Sequence, residues 1–156
     1  MNPNTSKFRV QANHWNCGPA ALRHALLCYG QQHAERKLAR WAKTDSEGTT
    51  ELGLNRAALL AGFELRFYTY QTKELATENI RAHINNGRPI IFCVDKWRHW
   101  VTAYHTTARH LYLVDSDPFA EELLQRLTWK EARRRIVKWQ DSDDVRFDLC
   151  VLYKKD

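Results

Sequence analysis

Apolar positions recur with a helical period through the first 62 residues. Between Pro19 and Gly30 they fall every three or four positions, which predicts a helix that enters at the proline and stops at the glycine. Similar spacing predicts two more helices, over residues 33–43 and from about residue 49 to Gly62.

From residue 63 onward the pattern changes toward alternation. The aromatic-rich run FELRFYTY (63–70) predicts a strand, and Thr72 is a suitable N-cap for a helix that reaches about Asn85. Three β-rich runs follow, RPIIFCVD, HWVTAYHT and HLYLVDSD, and the short polar turns between them predict an antiparallel meander. A helix over 128–138 and a strand over 147–153 complete the prediction.

Helices followed by strands predict an α+β fold, with a helical N-terminal half packed on an antiparallel sheet half. The 156 residues are 44% hydrophobic, enough for one domain (1–156) with a proper core. No apolar run is long enough to cross a membrane, and the N-terminus lacks the apolar core of a signal peptide. We therefore expect a soluble cytoplasmic protein.

The net charge of +6 is spread along the chain. Its densest cluster, KEARRRIVK (130–138), has helical spacing and predicts a solvated helix face; a surface for an acidic partner is the less favoured interpretation. A nucleic-acid partner is not expected from so diffuse a charge.

Four cysteines are widely spaced and form no CxxC pair, which argues against zinc knuckles and a disulfide framework. Cys28, Cys93 and Cys150 lie in apolar strings and are predicted to be buried. Cys17 is the exception, because Asn, Gly and Pro surround it. The histidines lack metal-ligand spacing, so we expect no metal or cofactor.

Cys17 lies where the first helix is predicted to begin. Free N–H groups and the helix dipole favour negative charge there, so the position suits a thiolate nucleophile. Gly18 is expected to leave space near the sulfur, and Pro19 gives up no intrahelical hydrogen bond.

A thiol nucleophile needs a base, and the base needs a group that orients it. His99 stands at the start of one predicted strand and Asp115 ends the next, so antiparallel pairing brings the two side by side. Asp117 is a competitor on the same face, but only Asp115 is still inside the strand.

Gln11 completes the candidate set. Its amide and the Cys17 backbone N–H could together hold an oxyanion. Taken singly, a cysteine before a helix, a histidine at a strand start and an aspartate before a turn are more simply structural. Their occurrence together in this order, on elements that can meet, favours a catalytic role.

At these positions the sequence resembles the bacteriocin-processing peptidases. The segments that carry the resemblance are Gln11, NCGPAAL (16–22), GTTELGLNRAALLAGFEL (48–65), RPIIFCVDKWRHWVTAY (88–104) and LYLVDSDP (111–118). Members of that family are papain-like cysteine peptidases, usually the N-terminal domain of ABC exporters that remove double-glycine leader peptides. The resemblance covers about residues 8–120 and implies Cys17 as nucleophile, His99 as general base and acid, Asp115 as orienter and Gln11 as oxyanion donor.

Three features depart from the family pattern. Members commonly have Asp-Pro after the histidine strand, whereas Asp115 is followed here by Ser-Asp-Pro, so Asp117 stays an alternative orienter. The chain ends at Asp156 with no transporter segment, which predicts a stand-alone protein, and the helix and strand within 121–156 lie outside the resemblance.

The candidate residues thus predict a cysteine peptidase, and the resemblance implies that it cleaves a leader or other peptide after small residues such as glycine. Trp15, Trp97 and Trp100, with Gly18, are predicted to line the substrate cleft, although core packing explains each tryptophan equally well. The expected partners are a peptide or protein substrate and a separate transporter or other protein partner. Two alternatives stay open: an acyltransferase using the same acyl-thioester chemistry, and a peptide-binding module that does not cleave.

Overall fold

The structure, a computed structural model, describes residues 3–140 and 144–156. These residues contain a short 3-10 helix (Thr5–Lys7), five α-helices and seven strands. The helices are α1 (Cys17–Leu27), α2 (Glu35–Ala42), α3 (Glu51–Leu60), α4 (Lys73–Asn85) and α5 (Trp129–Ile136). The strands are β1 (Phe63–Tyr70), β2 (Ile90–Val94), β3 (His99–Thr106), β4 (His110–Val114), β5 (Leu124–Thr128), β6 (Val137–Gln140) and β7 (Val145–Lys154).

All the predicted helices and strands are present, and two strands were missed. β5 is an edge strand of mixed exposure, LQRLT, whose weak alternation is hard to distinguish from a loop. The last helix ends at Ile136 rather than residue 138, because the chain turns directly into β6 at Val137. The first helix begins at Cys17, two residues before the proline that predicted it.

The strands form one antiparallel sheet in the order β1-β7-β2-β3-β4-β5, with β6 paired to β7. The predicted meander is confirmed as β2, β3 and β4. Thr102 faces Val114 across β3 and β4. This register places the first residue of β3 and the residue that follows β4 at the same end of the sheet, where Cys17 of α1 also lies.

Helices cover both faces of the sheet. One buried cluster joins α1, α2 and α3 to residues such as Ile91 and Cys93 of β2. A second cluster joins α4 and α5 to Ile90, Phe92 and Val94 of the same strand. Side chains of a strand alternate between faces, so β2 is buried on both sides, as its continuous apolar run IIFCV requires. The α+β class is confirmed; α4 and α5 add a third layer to the predicted pair of halves.

Within the described residues, no helix combines the length and the apolar character needed to cross a membrane.

Gly53 sets how closely α3 approaches α2. A Cβ atom added there would collide with the backbone carbonyl of Ala42 and lie 3.2 Å from Thr50 Oγ1. This close approach holds the Thr49–Thr50 segment, where the Thr50 side chain caps α3 by accepting from the Gly53 N–H. The segment lies against α1, because a Cβ at Gly18 would come within 2.8 Å of Thr49 Cβ.

We therefore predict that Gly53→Ala destabilises the fold. Helix propensity alone would favour alanine by about 1 kcal/mol, but overpacking against a backbone atom costs about 1–3 kcal/mol. The free energy of unfolding, measured with urea, should fall. The control is Arg56→Ala on the exposed side of α3, which should change stability by less than about 0.5 kcal/mol. A Gly53→Ala protein as stable as the parent would contradict this account of the contact.

Candidate active site

Cys17 is the first residue of α1 and is 8% exposed. The residue before it, Asn16, directs its side chain to Glu35 rather than capping the helix (Nδ2 to Oε1, 3.0 Å). The sulfur therefore lies at a helix N-terminus, the positive end of the helix dipole.

Glu35 fixes the loop that leads into Cys17. The same carboxylate oxygen that binds Asn16 also accepts the backbone N–H of Ala12 at 2.9 Å. Arg23 of α1 lies 3.9 Å from its second oxygen. A buried carboxylate at the start of α2 thus ties residues 12–16 to the helical layer.

His99 and Asp115 meet at the end of the sheet. His99 Nε2 lies 2.6 Å from Asp115 Oδ1, and both side chains are largely buried. Asp117 does not contact the ring: its backbone N–H donates to Asp115 Oδ1 at 3.1 Å, and its own carboxylate accepts the N–H of Phe119. Asp117 therefore forms the turn after Asp115, and its backbone N–H stabilises the Asp115 carboxylate.

The surroundings of His99 favour the imidazolium form. Burial alone would lower the pKa of His99, but hydrogen bonds to Asp115 and Cys17, together with their charges, raise it to about 9. Burial alone would likewise raise the pKa of Asp115, but His99, the Asp117 N–H and Arg135 hold it below its usual value. Because Nε2 contacts Asp115, Nδ1 is the ring nitrogen available to Cys17.

Gln11 is held beside this pair by Ser116. The backbone N–H of Gln11 donates to the Ser116 carbonyl and its Oε1 accepts from the Ser116 hydroxyl, both at 2.8 Å. The Gln11 Nε2 donates to the Asn13 carbonyl at 2.7 Å and lies 3.4 Å from the His14 carbonyl. The Gln11 amide nitrogen thus makes one short and one long contact with backbone carbonyls.

These side chains share one open cavity of about 590 Å³. Gln11, Cys17, His99 and Asp115 all line it, with Arg98 and Phe119 among the other residues around it. The structure thus brings together the four residues that the sequence singled out for chemistry.

The four predicted cleft residues are more scattered. Trp97 and Trp100 line a neighbouring cavity of about 480 Å³ with Leu52 and Cys93. Trp97 is half exposed, and the Lys138 ammonium lies 5.2 Å from the centre of its ring. Trp100 is buried and donates its indole N–H to the Thr49 carbonyl at 3.1 Å.

Trp15 and Gly18 do not have the predicted surroundings. Trp15 is exposed on the loop before α1 and lines neither of these two cavities. Thr49 fills the space over Gly18, so this glycine permits close packing of the α2–α3 segment rather than leaving a gap near the sulfur.

The sequence analysis did not identify Ser116 or Arg135 as site residues. Ser116 was noted only as an insertion before Asp-Pro, yet it is the residue that binds Gln11. Arg135 was included in a basic stretch expected to face solvent. Lys130 and Arg134 of that stretch are exposed, but Arg135 reaches Asp115 and Lys138 is buried.

An antiparallel sheet between helical layers, with a cysteine at a helix N-terminus beside a histidine–aspartate pair, defines the papain-like cysteine peptidase class. A sequence model of the Peptidase C39 family matches residues 5–126, and the chain belongs to that family.

One of the relatives of this chain is a transport/processing protein. The pediocin PA-1 transport/processing ATP-binding protein PedD of Pediococcus acidilactici is 29% identical over 120 residues, which are 71% of this chain and 15% of that protein. The chain therefore spans a small part of this relative.

Two solved structures share the fold. The peptidase domain of Streptococcus ComA, a bi-functional ABC transporter involved in a quorum-sensing pathway, superposes with a TM-score of 0.64 at 23% identity, over 91% of this chain and 96% of that one. A double glycine motif protease from an AMS/PCAT transporter, solved with its leader peptide, superposes with a TM-score of 0.65 at 17% identity, over 90% and 89% of the two chains.

The four free cysteines should differ sharply in reactivity. Burial raises the pKa of Cys28 to about 12 and that of Cys93 to about 11, and it raises the pKa of Cys150 as well. Since the thiolate is the reactive form, these three should resist alkylation at neutral pH.

We predict that brief treatment with iodoacetamide at pH 7 adds one carboxamidomethyl group per folded chain, at Cys17, which lines the open cavity beside His99. Peptide mass spectrometry locates the modified residue. Cys17→Ala should abolish labelling, whereas the matched control Cys93→Ala should leave it intact. Preferential labelling of another cysteine in the folded protein would contradict this description of the site.

Proposed function

We propose that the chain is a peptidase in which Cys17 attacks the peptide carbonyl and the His99–Asp115 pair moves the proton. The observation that carries the proposal is the meeting of these three side chains in one cavity, with the cysteine at a helix N-terminus. Membership of a peptidase family supports the reaction class.

The proposed reaction begins from a Cys17 thiolate and a protonated His99. The sulfur adds to the carbonyl carbon of the scissile bond, and the carbonyl π electrons move to oxygen. When the tetrahedral intermediate collapses, the C–N bond breaks and His99 gives its proton to the departing amine. Neutral His99 then takes a proton from water, and the oxygen of that water adds to the thioester carbonyl. Collapse of this second intermediate breaks the C–S bond, releases the acid product and restores the Cys17 thiolate and the protonated His99.

Asp115 orients the ring through this cycle. Its 2.6 Å contact with Nε2 holds Nδ1 toward the sulfur and stabilises the imidazolium. The negative charge on the substrate oxygen would be met by the Cys17 backbone N–H and by the Gln11 amide, whose nitrogen has one short contact, with the Asn13 carbonyl at 2.7 Å.

We further propose that small residues such as glycine precede the scissile bond. Support comes from the double glycine motif protease of the same fold and from the transport/processing relative. In this chain, Trp100 donates its indole N–H to the Thr49 carbonyl, and both residues line the cavity next to the one that holds Cys17. A cleft walled by such residues would favour a residue without a side chain.

Peptide cleavage tests this function directly. Synthetic leader-like peptides that end in Gly-Gly before the scissile bond should be cut after the second glycine, and matched peptides with Leu-Leu there should not. Mass spectrometry of the products identifies the bond. Cys17→Ala should abolish cleavage. Binding without cleavage by the parent protein would instead support a peptide-binding module, and amide products formed with an added amine in place of acid would support an acyltransferase.

The alkaline limb of activity should report on His99. Since Asp115 raises the pKa of His99, Asp115→Asn should lower that pKa, so the imidazolium is lost at a lower pH. The kcat/KM profile of the parent should decline near pH 9, and that of Asp115→Asn should decline at lower pH with a reduced maximum. Asp117→Asn is the matched control, because its side chain forms a turn and not the ring contact. An alkaline limb that moved in Asp117→Asn and not in Asp115→Asn would assign the orienting role to Asp117.

A further inference from the structure

Arg135 is the one described side chain, apart from His99, that forms an ion pair with Asp115. Its Nη2 atom lies 3.3 Å from Asp115 Oδ2, the oxygen that His99 does not contact. The carboxylate is therefore held on both oxygens, by an imidazole from the sheet and by a guanidinium from α5. A carboxylate bound in this way has little freedom to rotate.

The same guanidinium binds the turn that leads to His99. Its Nη2 lies 3.2 Å from Asp95 Oδ2 and its Nε lies 3.4 Å from Asp95 Oδ1, while Nη1 donates to Gln125 at 3.0 Å. The Arg135 carbonyl also accepts the Asp95 backbone N–H at 3.1 Å.

This turn needs such support. Asp95, Lys96 and Trp97 all have positive φ values, from 53° to 67°. Non-glycine residues adopt this conformation at an energetic cost, and surrounding contacts must hold them in it. Arg135 secures the first of the three, and two residues after the third the chain enters β3 at His99.

Arg135 is itself fixed by the packing of α5. Thr128 and Glu131 form a capping box at the start of the helix, and Trp129 and Ile136 are buried against the sheet. The helix lies beyond residues 5–126, the span matched by the family model, so the matched segment does not contain this arginine.

We propose that Arg135 is a positioning residue for the proposed peptidase reaction: it holds Asp115 ionised and oriented toward His99 and holds the Asp95–Trp97 turn that delivers His99. The inference rests on the proposed function for its kinetic consequences, but the contacts it describes can be tested without turnover.

Several charged groups surround Asp115, and the proposal depends on which of them acts on it. They are His99 from β3, Arg135 from α5, Asp95 and Arg98 from the β2–β3 turn, Asp117 after β4, Cys17 from α1 and His14 from the loop before α1. Of these, the groups that lower the pKa of Asp115 are His99, the Asp117 backbone N–H and Arg135. Removing the Arg135 charge should therefore raise the pKa of Asp115.

The test compares the parent with Arg135→Met, and Arg134→Met serves as the matched control because Arg134 is the exposed neighbour on the same helix. In an NMR titration, the His99 ring signals should show an inflection on the acid side, where Asp115 titrates. In Arg135→Met this inflection should lie about one pH unit higher than in the parent. In peptide cleavage, kcat should fall about ten- to a hundredfold, with KM changed much less. Arg134→Met should match the parent in both measurements.

Two more variants separate the two contacts. Arg135→Lys keeps a cation beside Asp115, so its acid-side inflection should stay near that of the parent while kcat is only partly restored. Asp95→Asn weakens the contact between Arg135 and the turn and leaves the contact between Arg135 and Asp115 in place. It should therefore lower kcat without moving the inflection. If Arg135→Met does not fold, Arg135→Gln replaces it in both measurements, with the same expected results. This variant loses the charge and keeps an amide donor.

The outcomes are distinct. An inflection and a kcat in Arg135→Met equal to those of Arg134→Met would overturn the proposal. A shifted inflection in a protein whose parent cleaves no peptide would overturn the proposed function and leave the link between Arg135 and Asp115 supported.

Discussion

A buried carboxylate must be paired, and the arrangement around Asp115 follows from that requirement. An ionised group removed from water costs several kcal/mol unless other charges and hydrogen-bond donors replace its hydration. At Asp115 three groups do so: the His99 ring at 2.6 Å, the Asp117 N–H at 3.1 Å and the Arg135 guanidinium at 3.3 Å. Since each comes from a different segment, the carboxylate can be accommodated only when the sheet, the loop after β4 and α5 are all in place.

The candidate site lies where the layers of the fold converge. α1 brings Cys17 from one face of the sheet, and α5 brings Arg135 from the side of the other face. The ends of β3 and β4 bring His99 and Asp115 between them. The loop carrying Gln11 is tied to the strand side by Ser116 and to the helical side by Glu35, which binds Ala12 and Asn16. The geometry of the site is thus a property of the whole fold.

Periodicity was enough to predict the helices, the meander and the pairing of His99 with Asp115, because each depends on local pattern or on neighbouring strands. β5 and β6 were missed because they are short and lie at the margin of the sheet, where polar residues are tolerated. Arg135 could not be separated from its basic neighbours, since helical spacing alone does not say which arginine meets a buried acid 20 residues earlier. Gly18 was misjudged because its partner, Thr49, is distant in sequence and adjacent only after folding.

The position of β7 has a consequence for how the molecule is made. This strand is the last in sequence yet lies between β1 and β2, and it pairs with β1 along eight residues. During synthesis on the ribosome, β1 and β2 emerge before the strand that joins them, and each keeps an open edge until β7 has been made. A nascent chain therefore cannot assemble this sheet progressively from its N-terminus, and a message truncated ahead of β7 would yield a product with two unpaired edges prone to aggregation.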